Sequence, residues 1–265
     1  MSELPPAPNQ QLLAEAWDAA ARGYHEYFVP RFAPWSEAAV AALPELIPPG
    51  NILVPCAGTG PEVRRLLSRY PQRSVVGVDL SQGMLKIASE ACRSQRARFI
   101  HGDAAETTRW PTPVTALVTV FGLQQMPDPL AATASWLARM EPGSTAVLCF
   151  WPALVEDDGP FNWVRELLAS LQGKANGAWE EQLAPHLEAC GAELVLDAPL
   201  SFNILHPDAQ TFWDAMLNSG PLSRLRQGPH AAALPELKRA FLERAPQGAL
   251  SHQPRARCIV ARRPS

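Results

Sequence analysis

The residues whose types and spacing could do chemistry begin at a glycine-bearing turn, Val54-Pro55-Cys56-Ala57-Gly58-Thr59-Gly60. It follows a short apolar run and precedes a helical one. Glycines at such a turn can take positive φ and let a ligand approach the backbone. The alternative is a plain strand-to-helix turn. About twenty residues further on, Val75-Val76-Gly77-Val78-Asp79-Leu80 ends a second apolar run in an acid. A carboxylate at that spacing can accept both hydroxyl protons of a ribose. It can equally cap a helix, with Ser81 as a competing cap. A third run, Phe99-Ile100-His101-Gly102-Asp103-Ala104, again ends in an acid. Asp103 can accept a hydrogen bond from an adenine amino group, or sit in an ordinary turn. A fourth run, from Val118 to Phe121, leads into Gly122-Leu123-Gln124-Gln125-Met126 and a proline-marked helix start at Pro127-Asp128-Pro129.

The glycine turn lacks one part of the dinucleotide fingerprint. A third glycine, which lets a helix N-terminus cradle a pyrophosphate, is replaced by Val63. S-adenosylmethionine (SAM) carries no phosphate, so the pattern tilts toward SAM. A thiol in the same turn, Cys56, has no basic neighbour in sequence to lower its pKa. It reads as a packing or backbone residue.

The elements that must position these residues alternate. Helical spacing covers residues 10–22, followed by the aromatic segment Tyr24, Tyr27, Phe28, Phe32 and Trp35. Ser36 can cap a helix running to Leu46, stopped by Pro48-Pro49-Gly50. Strands are expected over 51–54, 74–78, 97–101, 114–121 and 144–151, with helices over 61–70, 82–96 and 129–140 between them. Later helices are expected near 160–171, 178–190, 208–218 and 231–244. Strand is expected near 192–197 and 257–262, with an extended piece at 199–205. Strands separated by helices call for a parallel sheet covered on both faces.

Taken together, the four motifs resemble the class I SAM-dependent methyltransferases, in the branch of small-molecule, ubiquinone-biosynthesis-type enzymes. The resemblance runs over residues 50–151. It implies an α/β fold, a Rossmann-like, mostly parallel sheet of seven strands with helices on both faces and a helical cap. It implies SAM as cofactor, methyl transfer as the reaction, and a small, apolar or aromatic acceptor. Cys56, Ala57, Gly58, Thr59 and Gly60 would form the loop under the methionine part. Asp79 would bind the ribose, Leu80 and Met84 would pack on the adenine, and Asp103 with Ala104 would meet its edge. Phe121 and Gln125 would lie near the sulfonium. Tyr24 of an N-terminal lid would touch the cofactor, unless it packs into the core, and Arg31 would bind the carboxylate, or face water. Tyr24, His25 and Gln125 are the candidate catalytic groups beside the acceptor.

The chain departs from the family pattern in three places. Val54 stands where an acid commonly helps anchor the methionine amino group, with backbone carbonyls or Glu62 as substitutes. Cys56 replaces a glycine. Gln124-Gln125 replaces a frequent His pair, which removes an expected general base. A SAM-binding enzyme that does not methylate, or a binding protein with a degenerate site, are the competing readings.

The implied organisation is a lid over 1–48, a core over 49–204, a helical cap inserted over 205–252 and a final strand of the core over 253–265. With 47% hydrophobic and 18% charged residues, the 265-residue chain reads as an ordinary globular protein. A net charge of −3 points away from nucleic acid and anionic membrane. No apolar run is long enough to span a bilayer. Residues 1–10 are polar and proline-rich, without a signal pattern. Five scattered cysteines without metal-ligand spacing read as reduced thiols, so the expectations are a cytoplasmic location and no metal. A monomer or homodimer is expected.

Overall fold

Apolar runs with no polar alternation become the central strands of the computed structural model, which describes residues 8–172, 178–220, 222–227 and 229–265. The polar, proline-rich start over 1–7 lies outside the described residues. The strands are β1 (Asn51–Pro55), β2 (Ser74–Asp79), β3 (Ala97–His101), β4 (Val114–Val120), β5 (Met140–Phe150), β6 (Glu193–Ser201), β7 (Ile204–His206), β8 (Leu250–His252) and β9 (Arg255–Arg262). Six of the seven residues of β4 are buried. Burial on both faces calls for such Val, Leu and Ala content, with which Thr115 and Thr119 are buried.

Seven strands form one sheet in the order β3-β2-β1-β4-β5-β9-β6. Only β9 runs against its neighbours, pairing antiparallel with both β5 and β6. The sheet is thus mostly parallel and seven-stranded, as expected. Chain order reverses between β1 and β4, and ligands of open α/β sheets bind at the carboxyl ends of strands at such a point.

The helices are α1 (Pro8–Gly23), α2 (Val29–Ala41), α3 (Pro61–Arg69), α4 (Gln82–Ala91), α5 (Pro129–Arg139), α6 (Pro160–Gln172), α7 (Ala178–Ala189), α8 (Ala209–Ser219) and α9 (Leu234–Arg244). A π-helical turn, Tyr24–Phe28, joins α1 to α2. Two apolar clusters pack on opposite faces of the sheet, one under α2 and α3, the other under α5 and α7.

Four expectations need correction. Ser36 does not cap a helix: it is buried inside α2, which begins at Val29. Phe28, Phe32, Trp35 and Ala39 recur at three- to four-residue spacing and all face the core. Burying that stripe outweighs any local capping preference. Helix α2 also ends at Ala41, short of Leu46. Helix α4 stops at Ala91 instead of Arg96, because Cys92 leaves helical φ/ψ. Finally, β6 runs on to Ser201, and β7 pairs with β8 in a separate small antiparallel sheet that brackets the cap.

Candidate functional site

A cavity of about 980 Å³, counting its open mouth, lies at the carboxyl ends of β1, β2, β3 and β4. The turn after β1 forms its floor through Cys56, Ala57, Gly58 and Thr59. Gly58 has φ +53, and a Cβ on it would meet nothing within 4 Å. A side chain there would project into open space that a ligand can fill. Gly60 lies beneath the lining. It takes φ +78 as the residue before α3, and a Cβ on it would press to 3.1 Å on Ala88.

Asp79 ends β2 and lines the cavity. Its Oδ2 accepts the Gly58 N–H at 2.8 Å, and its Oδ1 accepts the Ser81 N–H at 2.9 Å. One carboxylate therefore ties the glycine turn to the start of α4. Each oxygen keeps a second lone pair, the acceptor set that a vicinal diol requires. Burial raises the Asp79 pKa, and the two backbone amides oppose that shift. Ser81 caps α4 through Met84 N, so the two residues divide the capping and ligand-facing roles that the sequence left open.

Asp103 follows β3 and also lines the cavity. Its Oδ1 accepts the Ala105 N–H at 2.8 Å, and its Oδ2 accepts the side-chain amide of Gln10 at 2.5 Å. A planar NH₂ donor already matches this carboxylate, which is the chemistry of an adenine amino group. Leu80, Met84 and Ala104 supply an apolar slot between the two acids.

Helix α1 and the π turn close over this floor. Asp18 Oδ1 accepts from Ser81 Oγ at 2.5 Å and from Gly83 N at 2.7 Å, so the lid is pinned at the positive end of α4. Tyr24 lines the cavity. Burial first, then the charges of Glu62 and Asp79, hold its phenol well above the usual range. It can donate a hydrogen bond but not act as a base at neutral pH. His25 is placed one layer out, with Nδ1 2.9 Å from Thr59 Oγ1, and is not among the lining residues. Burial, then Arg64, lowers its pKa, which keeps the ring neutral. Arg31 is not brought to the cavity at all. Its guanidinium donates to the Tyr27 carbonyl at 2.7 Å and the Leu205 carbonyl at 3.2 Å, and lies 3.8 Å over the Tyr27 ring. The expected carboxylate contact is replaced by a lid-to-cap bridge, because Arg31 projects from α2 toward β7.

Phe121 and Gln125 line the opposite wall after β4. Phe121 stacks on Trp151 with ring centroids 4.1 Å apart and meets Phe32 edge-on at 5.1 Å. Phe121 and Cys56 both take positive φ, +58 and +54, a strained conformation for residues other than glycine that clusters at functional sites. Burial, then the charges of Asp79 and Asp103, pushes the Cys56 thiol far up. A thiol held protonated in this way is a poor nucleophile.

One group was visible in sequence only as a substitute. Glu62, in the first turn of α3, is 5% exposed, lines the cavity, and accepts a hydrogen bond from Ser36 Oγ of α2. Burial raises its pKa, with the Ser36 bond opposing. Ser36, Gln10 and Phe32 carried no local signal for this site. They arrive through the packing of α1 and α2 on the sheet. No cluster of metal-binding side chains occurs among the described residues, and none of their helices is long and apolar enough to cross a membrane.

Residues 52–143 match a family profile described as a methyltransferase domain. A demethylmenaquinone methyltransferase of Chlamydia pneumoniae is 33% identical over 79 residues, 30% of this chain and 34% of that protein. One from Staphylococcus aureus (strain Newman) is 31% identical over 94 residues, 35% of this chain and 39% of that protein. The matched part thus spans little more than a third of the curated relatives' length. Among solved structures, the [4+2]-cyclase SpnF aligns with a TM-score of 0.64 at 17% identity, over 99% of both chains. Geranyl diphosphate C-methyltransferase from Streptomyces coelicolor A3(2), solved with S-adenosyl-L-homocysteine, aligns with a TM-score of 0.62 at 15% identity, over 98% of this chain and 100% of that one.

Proposed function

We propose that this chain, whose residues 52–143 match a methyltransferase domain, transfers a methyl group from SAM to a small apolar or aromatic acceptor. One observation carries the reading: Gly58, Asp79 and Asp103 converge on one cavity whose far wall is aromatic. SAM supplies a sulfonium-activated methyl group when bound. Asp79 would hold its ribose, Asp103 its adenine amino group, and Leu80 and Met84 the adenine faces. Glu62, steadied by Ser36, would accept the methionine ammonium in place of the acid that Val54 lacks.

The remaining work falls to shape. Phe32, Phe121, Gln125 and Met126 line the side away from the two acids. They would align the acceptor and exclude water, and alignment alone accounts for much of the acceleration in such a transfer. No Lys or Arg is among the described residues lining the cavity, and its charged groups are all acids. The acceptor side offers no cation to offset a phosphate or carboxylate, so an acceptor without an anionic group fits. We place Tyr24 and Gln125 as hydrogen-bonding groups beside it, with His25 acting only through Thr59.

A second reading is a SAM-binding enzyme that does not methylate. It is favoured by the lack of a lining His and by the resemblance in fold to a [4+2]-cyclase. Calorimetry with SAM and S-adenosylhomocysteine, then labelled SAM with a panel of phenols, amines and carboxylates, separates the readings. The proposal expects binding of both ligands and label transfer to an acceptor without an anionic group. Binding without transfer to any acceptor supports the second reading, and absence of binding overturns both.

A further inference from the structure

Behind the aromatic wall runs a chain of four polar side chains that the proposed transfer does not use. Tyr27 Oη lies 2.8 Å from His206 Nδ1, His206 Nε2 lies 3.0 Å from His252 Nε2, and His252 Nδ1 lies 2.8 Å from Glu156 Oε2. His206, His252 and Glu156 are 1%, 7% and 4% exposed, so water does not compete for these bonds. The four residues come from four separate places: the π turn, β7, β8 and the loop after β5.

The direction of the chain is set from its buried end. Glu156 Oε1 accepts the N–H of Phe161 at 2.7 Å and of Asn162 at 3.3 Å, in the first turn of α6. A Cβ on Gly159, which has φ +153, would lie 2.5 Å from the Glu156 carboxyl carbon, so glycine makes room for that capping contact. A carboxylate can only accept, so His252 Nδ1 must carry the hydrogen. With one hydrogen on each ring, His252 Nε2 accepts, His206 Nε2 donates, His206 Nδ1 accepts, and the Tyr27 hydroxyl donates. This order satisfies every polar atom. Reversing one ring alone sets two donors or two lone pairs face to face in a dry site.

The charged groups facing the chain are Arg31 on α2 and Asp208 at the start of α8, while Phe161 and Phe212 pack against its rings. Tyr27 shares its π turn with Tyr24, which lines the cavity, and His25, which meets Thr59. We infer that Glu156, His252 and His206 are positioning residues: their ordered protons hold Tyr27, and through it the π turn that closes over the glycine loop. The cofactor part of this inference rests on the proposed function. The order of the protons does not.

Nitrogen-15 NMR of histidine-labelled protein at neutral pH tests the order directly. The expected result is the Nε2–H form for His206 and the Nδ1–H form for His252. In Tyr27→Phe, amide exchange across residues 24–28 should rise at least about fivefold, and S-adenosylhomocysteine should dissociate about five- to tenfold faster, the scale of one lost hydrogen bond. Asn51→Ala removes a side-chain bond to the Pro113 carbonyl at the amino end of β1, the edge of the sheet opposite the cavity, and should leave both rates unchanged, which separates positioning from general destabilisation. Glu156→Gln, whose amide can donate as well as accept, should mix the tautomers, and supplies the reading if Tyr27→Phe fails to fold. An Nδ1–H form for His206 overturns the inference, as does unchanged exchange in Tyr27→Phe. Failure of the native protein to bind S-adenosylhomocysteine would instead remove the cofactor reading, leaving tautomers and exchange to decide the chain.

Discussion

A Cβ atom on Gly122 would lie 2.3 Å from Cys56 Cβ and 3.0 Å from its Sγ. The turns after β1 and β4 therefore meet, side chain against bare backbone, where the strand order reverses. Cys56 is held at positive φ there, a conformation that costs an ordinary residue roughly 1–2 kcal/mol. Gly122→Ala should destabilise the fold by about 1–3 kcal/mol, the usual cost of overpacking. Adding Cys56→Gly should recover part of it, by removing both the clash and the left-handed penalty. Denaturant unfolding of the single and double variants measures this, and a Gly122→Ala protein as stable as the parent would refute the contact.

Asp79→Ala should weaken SAM binding by about 1.5–3 kcal/mol, the range for hydrogen bonds to a charged group. It should also lower the melting temperature, because Gly58 and Ser81 each lose an acceptor. Calorimetry on the folded variant is the check. An unchanged dissociation constant would remove Asp79 from the ribose site.

Glu62 offers a pH test of the ammonium contact. Burial raises its pKa, so its carboxylate takes up a proton at a higher pH than an ordinary glutamate. SAM affinity should therefore fall as pH drops through that raised value. Glu62→Gln should bind roughly tenfold more weakly at pH 8, on the scale of a charge-assisted hydrogen bond, and should show a flatter profile. Parallel titration curves for the two proteins would show that Glu62 faces something else.

His206 should make the fold sensitive to acid. Burial, then the neighbouring His252 and Arg31, pushes its pKa down to about 3 from the ordinary 6.5. The unfolded chain takes up this proton below about pH 6.5 and the folded one does not. Stability should thus be present above that pH and decline as pH falls toward 3, by at most about 1.4 kcal/mol per unit for one proton. The raised carboxyls of Glu62 and Asp79 act in the opposite sense at the acidic end of this window. His206→Gln should flatten the decline between pH 6.5 and 5. Denaturant midpoints across that range would reveal an undiminished slope if the idea is wrong.

Asp18→Ala should release the lid. The side chain holds Ser81 Oγ and Gly83 N at the start of α4, and a Cβ on Gly83 would press to 3.1 Å on the Asp18 backbone. Loss of this capping carboxylate should cost about 0.5–2 kcal/mol. SAM should also leave faster, which stopped-flow displacement would show. Equal off-rates would mean that α1 does not gate the cavity.

Much of the sheet was legible in the chain itself. The apolar runs ending at Pro55, Asp79 and Val120 are strands because only β structure buries so short an apolar stretch on both faces, while Ala97–His101 is the edge strand with only Ile100 buried. Gly58, Asp79 and Asp103 were legible as residues of one edge because each lies at or just beyond a strand's carboxyl end, and such ends share one edge of a parallel sheet. The lid was read less well. The aromatic stripe from Tyr24 to Trp35 was visible, but its π turn was not, since no residue type there demands one.

What the sequence by itself determined is the periodic pattern: which segments are strands, which acids follow them, and that the turn lacks a third glycine. Only the tertiary structure decided which distant side chains meet. Glu62 faces Ser36 across two helices, Gln10 reaches Asp103, and Arg31 turns from the cavity to bridge lid and cap. The chain Tyr27–His206–His252–Glu156 draws on segments up to 225 residues apart. The physical reason is range. Backbone periodicity acts over a few residues and leaves its mark in local sequence. The pairing of buried polar groups is settled by which helix faces pack together, and that information is spread over the whole chain.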